Sequence, residues 1–162
     1  MSVEADGSVR HEVVVDLPQE EAFWAFTDLD RIKPREHNML TVPIARTVLE
    51  AHAGGDIYDQ GVDGSICRWG RVLAFDPPNL IAFSWDIGPN WQVAADLERT
   101  SEVKVTFVRV GQGRTNVTLV HRHLYRHGSG WKSLRHGLDI EDGWPLYLGR
   151  YRALTRGEQE RA

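Results

Sequence analysis

Residues 69–85 read WGRVLAFDPPNLIAFSW, and this stretch indicates how the chain folds. Two apolar runs, both rich in aromatic or branched residues, flank the four residues DPPN. Proline has no N–H for a β-ladder and fixes φ, so paired prolines are typical of a reversal between two strands. The stretch therefore predicts a β-hairpin whose arms pair antiparallel.

Further strands are predicted on both sides of this hairpin. Residues 44–61, IARTVLEAHAGGDIYDQG, have the composition of two strands around a glycine turn. Residues 64–75 and 79–87 then form the third and fourth strands of a meander. Residues 101–124 alternate apolar and polar side chains on either side of the turn GQG, which predicts another hairpin with one covered and one solvated face.

The N-terminal region predicts a strand followed by a short helix. VRHEVVVDL, residues 9–17, has strand composition, and DLPQEEAFWAF continues with apolar residues at helical spacing. Asp16 and Gln19 have the spacing of a capping box at the start of this helix. Pro34 disfavours a long continuation of this helix, so we expect a loop or a single helical turn over residues 27–39.

The C-terminal region predicts a longer amphipathic helix. Trp144, Leu148 and Tyr151 recur at spacings of four and three residues, and Tyr147 and Leu154 widen this apolar face. Gly143 and Pro145 place the start of the helix near residue 142, after a shorter helical turn. Because this helix alone is long enough to cover the apolar face of the sheet, we expect an α+β fold in which the two pack together.

Composition favours a single soluble domain. The chain has 162 residues and a formal net charge of −4, so no positive field favours nucleic acid or anionic lipid. Its one cysteine, Cys67, excludes an internal disulfide and is predicted to be an inert apolar residue. The N-terminal residues are too polar for a signal peptide, and no apolar run is long enough for a membrane-spanning helix. We therefore expect a cytoplasmic protein without membrane insertion.

The order and spacing of these segments resemble the SRPBCC superfamily of START-like, birch-pollen-allergen-like domains. WGRVLAFDPPNLIAFSW, SEVKVTF, RTNVTLVHR and GWPLYLGRY are similar to its bacterial branch, related to the C-terminal domain of the activator of the heat-shock-protein-ninety ATPase. The resemblance covers residues 9–156, with 1–8 and 157–162 as flexible ends. It implies a helix-grip fold, with a curved antiparallel sheet of about seven strands wrapped around the C-terminal helix and a cavity between them.

Polar residues on the strands are candidates for anchoring a ligand in that cavity. His121 continues the face of Val117 and Leu119, and Asp86 continues the alternation of the fourth strand. Arg68 precedes Trp69 on a strand expected to line the cavity, and an apolar pocket needs a few such groups for orientation. The alternative is that Arg68 and Asp86 lie in water at a strand end, or pair with each other.

Tryptophans are the second group of candidates, since indoles offer flat faces and one N–H donor. Trp91 lies in the irregular segment after the fourth strand and is predicted to lie at a lid or mouth, whereas strand tryptophans are alternatively core residues. The full candidate set is Arg68, Trp69, Trp85, Asp86, Trp91, His121, Trp144, Leu148 and Tyr151.

The sequence HRH places His121 and His123 at strand spacing, with His127 four residues later. Such a set is compatible with zinc, but no further ligand has motif spacing, and we interpret these histidines as rim residues of the sheet. Glycine loops for phosphate, a nucleophile elbow and nucleotide fingerprints do not occur in the sequence, so we expect no cofactor.

The sequence and the resemblance together favour binding of an apolar or aromatic small molecule, such as a lipid or a polyketide. One alternative is a cofactor-free cyclase or dehydratase that uses His121 or Asp86 as proton carrier. Another is a co-chaperone-like module that binds a protein partner. A homodimer through an edge strand or exposed aromatic residues is also compatible with the sequence.

Overall fold

The computed structural model describes residues 7–94 and 96–157. Within the predicted flexible ends, residues 1–6 and 158–162 lie outside the described residues. Ser8, at the start of the described part, is buried.

Seven antiparallel strands form one curled sheet, as predicted. Its order is β1-β7-β6-β5-β4-β3-β2, so the N-terminal strand pairs with the last strand and β2 forms the opposite edge. The strands are β1 (Val9–Val15), β2 (Ile44–Leu49), β3 (Asp56–Gly61), β4 (Ile66–Asp76), β5 (Leu80–Trp85), β6 (Ser101–Gly111) and β7 (Arg114–Arg122).

The DPPN stretch makes the predicted reversal between β4 and β5. Asp76 pairs with Leu80 across the turn, and the peptide bond between Pro77 and Pro78 is cis. Further along β4, a Cβ on Gly70 would lie 2.7 Å from the backbone oxygen of Ser84. Glycine therefore allows the close approach of the two strands beside Trp69, next to the β-bulge at Val72.

Four helices pack with this sheet: α1 (Gln19–Thr27), α2 (Leu29–Ile32), α3 (Trp131–Asp139) and α4 (Trp144–Thr155). Short 3₁₀ turns lie at Leu97–Arg99 and Leu124–His127. The predicted C-terminal helix is α4, with α3 as the shorter helix before it. None of the described helices is long and apolar enough to cross a membrane.

The predicted capping box at the start of α1 is wrong. The residue before the helix is Pro18, and no side chain caps its first turn. Asp16 instead lies 3.6 Å from Nε of Arg114, and the Gln19 amide donates to the backbone oxygen of Phe107. Asp16 and Gln19 therefore make tertiary contacts instead of the local capping contacts that their spacing predicts.

The concave face of the sheet and α4 share the main core. Val103, Val105, Phe107, Val117 and Leu119 are buried on the predicted face of β6 and β7. Tyr151 of α4 is also fully buried in this core, and its hydroxyl donates to the backbone oxygen of Ala22 at 2.7 Å. The middle of α4 is therefore packed into the main core.

Candidate ligand-binding site

A cavity of about 470 Å³ opens beside the first turn of α4. Four segments enclose it: α3, the start of α4, the residues that follow α2, and the chain from the end of β5 to Trp91. Most of its walls are apolar or aromatic side chains, namely Met39, Trp85, Ile87, Pro89, Trp91, Leu134, Leu138, Ile140, Trp144 and Tyr147.

Three of the candidate residues from the sequence line this cavity: Trp85, Trp91 and Trp144. Trp85 and Trp144 are buried and meet edge to face, with ring centroids 5.3 Å apart. Trp91 is 70% exposed and lies at the mouth, in a backbone conformation with φ of +57°. That Trp91 forms the lid or mouth of a binding site stays a prediction.

The other candidate residues lie outside the cavity lining. Trp69 is behind Trp85, with ring centroids 5.4 Å apart, and Leu148 and Tyr151 belong to the core between α4 and the sheet. Arg68 forms an ion pair with Asp56 at 3.4 Å and does not pair with Asp86. These residues were selected by strand and helix periodicity. Periodicity predicts on which face of an element a side chain lies, but not whether a neighbouring side chain separates it from the cavity.

Asp86 is completely buried rather than solvated at a strand end. Its Oδ1 accepts a hydrogen bond from the Ser84 hydroxyl at 2.7 Å, whereas Oδ2 has no partner among the described residues. Burial raises the pKa of this carboxyl group, and Arg71 and Arg68 oppose that shift. Asp86 is therefore a core carboxyl group that does not contact the cavity.

His121 lies on the predicted face but is covered by Trp144. The indole Nε1 of Trp144 donates to Nδ1 of His121 at 3.0 Å, and Ser101 Oγ lies 2.6 Å from Nε2. Burial lowers the pKa of His121 to about 3, with His127 adding to the shift. The imidazole is therefore neutral at neutral pH, and His121 is not among the residues that line the cavity.

The three histidines considered for zinc do not converge. β7 ends at Arg122, and His123 has a left-handed backbone with φ of +64°, so the strand spacing of HRH does not continue to it. His127 shares Ser101 with His121 instead, at 2.8 Å from the hydroxyl. In residues 7–94 and 96–157, no three metal-binding side chains form a cluster.

Sequence reasoning missed a polar group at one end of the cavity. Lys33 lines it although its side chain is only 3% exposed, and its Nζ lies 3.0 Å from Oδ2 of Asp59. His37 also lines it, and its Nδ1 lies 2.8 Å from the hydroxyl of Tyr147. The one signal in the sequence is Asp59, a carboxylate at an inward position of β3 between buried Ile57 and Gly61.

Burial shifts the pKa of Lys33, His37 and Tyr147 toward the neutral form of each side chain. It lowers the pKa of Lys33, against the opposing effect of Asp59, and it lowers the pKa of His37, with Lys33 adding to that shift. It also raises the pKa of the Tyr147 hydroxyl. At neutral pH the cavity therefore contains a neutral imidazole and a neutral phenol beside one buried ion pair.

Cys67 lies elsewhere, and burial raises the pKa of its thiol.

The sheet, the gripped helix and a cavity at the helix end define a helix-grip domain. The family model of the activator of Hsp90 ATPase homolog 1-like protein matches residues 16–155. The chain therefore belongs to this family, in the SRPBCC superfamily that the sequence resembles. Among curated proteins, none is significantly similar to the chain.

Three solved structures show how far the similarity extends. An anthrahydroquino-γ-pyrone synthase, Txn09, is 36% identical over 91% of this chain and 96% of its own, with a TM-score of 0.63. CalC, a self-sacrificing resistance protein from Micromonospora echinospora, is 25% identical over 96% and 97%, with a TM-score of 0.65. A protein from Nitrosomonas europaea is 14% identical over 98% and 99%, with a TM-score of 0.67, and shows the fold alone. Together with the family, Txn09 and CalC support a ligand-binding domain in general.

Proposed function

We propose that the chain binds an oxygenated aromatic small molecule of polyketide type in the cavity beside α4. The observation that carries this proposal is the cavity itself, with aromatic walls on several sides and a polar group at one end. Flat aromatic rings pack well edge to face or offset against indoles, and the polar end would orient an oxygen of the ligand. The 36% identity to a γ-pyrone synthase supports the same ligand class.

Two measurements test this proposal. Native mass spectrometry of freshly purified protein should detect a co-purifying small molecule. In addition, titration with fluorenone, a flat tricyclic ketone, should quench tryptophan fluorescence, because Trp85 and Trp144 form part of the cavity wall. The proposal is wrong if neither fluorenone nor its hydrocarbon counterpart fluorene binds to the wild-type protein.

A matched pair of variants localises the binding. Gly137 lines the cavity, and a Cβ built on it meets no atom within 4 Å. Gly149 of α4 is equally open but does not line the cavity. Gly137→Leu should abolish quenching by fluorenone, whereas Gly149→Leu should leave it unchanged. Equal loss of binding in both variants, or no loss in either, would place the ligand elsewhere.

A second candidate function is catalysis of ring closure without a cofactor. Its support is the identity to the γ-pyrone synthase along nearly the whole chain and the polar group of Lys33, His37 and Tyr147 beside the aromatic walls. In this reaction, a phenol oxygen adds to the distal ketone of a β-diketone, and the hydroxyl formed leaves as water. The ring that results is a γ-pyrone.

An ortho-hydroxyphenyl β-diketone is a suitable probe, since its cyclodehydration gives a chromone and one water. Formation of the chromone is followed by its ultraviolet absorbance, with Gly137→Leu as the control protein. Catalysis is supported if the wild-type protein accelerates the reaction and Gly137→Leu does not. A bound probe that cyclises only at the rate in buffer removes catalysis and leaves the binding function intact.

A further inference from the structure

Lys33 is held at the polar end of the cavity by a fixed acidic partner. Oδ2 of Asp59 lies 3.0 Å from Nζ, while Oδ1 accepts from the Thr47 hydroxyl at 2.7 Å. Both carboxylate oxygens are thus engaged, and the Asp59 side chain is 4% exposed. The Lys33 ammonium group is therefore positioned by Asp59 rather than left free to move.

The donors of this ammonium group are not all used. An ammonium has three N–H groups, and here Asp59 Oδ2 and the backbone oxygen of His37 each accept one. Among the described residues no third oxygen or nitrogen acceptor lies at Nζ, and its remaining contact is with the ring of Trp69, whose centroid is 6.0 Å away. A buried donor without a partner is costly, so the site favours a ligand that brings an acceptor to this position.

Charge balance decides which acceptor fits. Asp59 already neutralises Lys33, and Asp142 adds a second carboxylate to the cavity wall. His37 lies beside Lys33, and burial together with that neighbouring cation lowers its pKa, so it supplies no compensating positive charge. Arg150 is not among the lining residues, and its Nε donates to the backbone oxygen of Ile32. A ligand carboxylate would bring net negative charge into an apolar space, whereas a neutral carbonyl oxygen would not.

We infer that Lys33 donates its third N–H to a ketone or quinone oxygen of the ligand, and that the cavity therefore selects neutral aromatic ketones over hydrocarbons and carboxylates of the same shape. This inference rests on the proposed function, because it presumes that the cavity takes an aromatic guest. It assigns Lys33 as the specificity-determining residue. In a ring-closing reaction, the same N–H would polarise the carbonyl that is attacked.

Three probes of one shape test the inference: fluorenone, fluorene and a fluorene carboxylate. We expect the wild-type protein to bind fluorenone about tenfold more tightly than fluorene, as for a hydrogen bond from a charged donor, and to bind the carboxylate most weakly. The double variant Lys33→Met/Asp59→Asn removes both charges together and should bind fluorenone and fluorene equally.

Infrared spectroscopy of bound fluorenone separates a hydrogen bond from a merely structural effect of Lys33. The carbonyl stretch should lie at a lower wavenumber in the wild-type complex than in an apolar solvent, and it should return toward the solvent value in the double variant. If the double variant does not fold, the wild-type protein alone still tests the inference. A carbonyl stretch of bound fluorenone at the same wavenumber as in the apolar solvent would overturn it.

The outcomes distinguish this inference from the proposed function. Equal binding of fluorenone and fluorene to the wild-type protein overturns the role of Lys33 while the cavity remains a binding site. Tighter binding of the carboxylate than of the ketone overturns the charge argument. No binding of either neutral probe overturns the proposed function, and the inference falls with it.

Discussion

The indole Nε1 of Trp144 lies 3.0 Å from Nδ1 of His121, and this contact decides the protonation state of the histidine. An indole nitrogen can only donate, so Nδ1 must be the acceptor and the neutral ring carries its proton on Nε2. Nε2–H then donates to Ser101 Oγ at 2.6 Å, and Nε2 of His127 lies 2.8 Å from the same hydroxyl. One tryptophan therefore fixes the tautomer of His121 and the direction of its bond to Ser101.

We predict from this arrangement that His121 makes the fold sensitive to acid. Its pKa is lowered to about 3 in the folded protein, whereas an unfolded chain has the ordinary value of 6.5. Between these two pH values, His121 is protonated in the unfolded state but neutral in the folded state. The contribution of His121 to the free energy of unfolding is therefore fully present above the unfolded-state pKa and is lost as the pH falls toward the folded-state pKa. From neutral pH to about pH 4.5, this group alone should cost about 2 kcal/mol of unfolding free energy.

His121→Gln tests this prediction by urea unfolding at several pH values. A glutamine can accept from Trp144 and donate to Ser101 without titrating, so the variant should lose less stability than the wild-type protein over the same pH range. His52→Gln, at an exposed site in the turn after β2, is the control variant. Parallel curves for wild-type protein and His121→Gln would contradict the assigned protonation state.

The contrast between fold and site follows from the range of the interactions involved. The hairpin at DPPN, the alternation of β6 and β7, and the apolar face of α4 are local patterns, so they predict elements correctly. Lys33 lies in a segment without periodicity, and only Asp59 on β3 explains its burial. A contact between an irregular segment and a strand produces no periodic pattern in the sequence, so it cannot be predicted from residue spacing.

The candidate site residues illustrate the same limit at finer scale. His121 and Trp144 each lie on the face that their periodicity predicts, but only Trp144 contacts the cavity because it covers His121. Periodicity predicts the direction in which a side chain points from its strand or helix. It does not predict which of two inward-pointing side chains lies nearer the cavity. Spacing therefore selected both residues as candidates, and only the coordinates show that Trp144, not His121, lines the cavity.

A second prediction concerns the buried pair of Lys33 and Asp59. Lys33→Met alone leaves the Asp59 carboxylate buried without its cation, and removal of one partner from such a pair typically costs about 3 kcal/mol or more. Lys33→Met/Asp59→Asn removes both charges and keeps an acceptor for Thr47, so it should cost about 1 kcal/mol. Chemical denaturation of the three proteins measures this difference, and a single variant that is no less stable than the double variant would contradict it.

A third prediction uses the two open glycines of the C-terminal helices. Glycine within a helix is destabilising by up to about 1 kcal/mol, so Gly137→Leu and Gly149→Leu should each raise the unfolding free energy modestly. A Cβ at either position meets no atom within 4 Å, so neither variant introduces a clash. Thermal unfolding measures both gains, and loss of stability in Gly137→Leu would mean that the space beside α3 is not open.

The last prediction concerns Trp91, which is 70% exposed at the mouth of the cavity with φ of +57°. A bulky residue in this conformation is strained by about 1 kcal/mol, whereas asparagine tolerates it better. Trp91→Asn should therefore keep or slightly raise the unfolding free energy, yet release fluorenone several-fold faster in stopped-flow measurements. Trp24→Asn is the control, since Trp24 on α1 packs against Phe23 and against Phe75 of β4 and does not line the cavity. It should reduce stability and leave the release rate unchanged, and the same release rate in all three proteins would show that Trp91 does not cover the mouth.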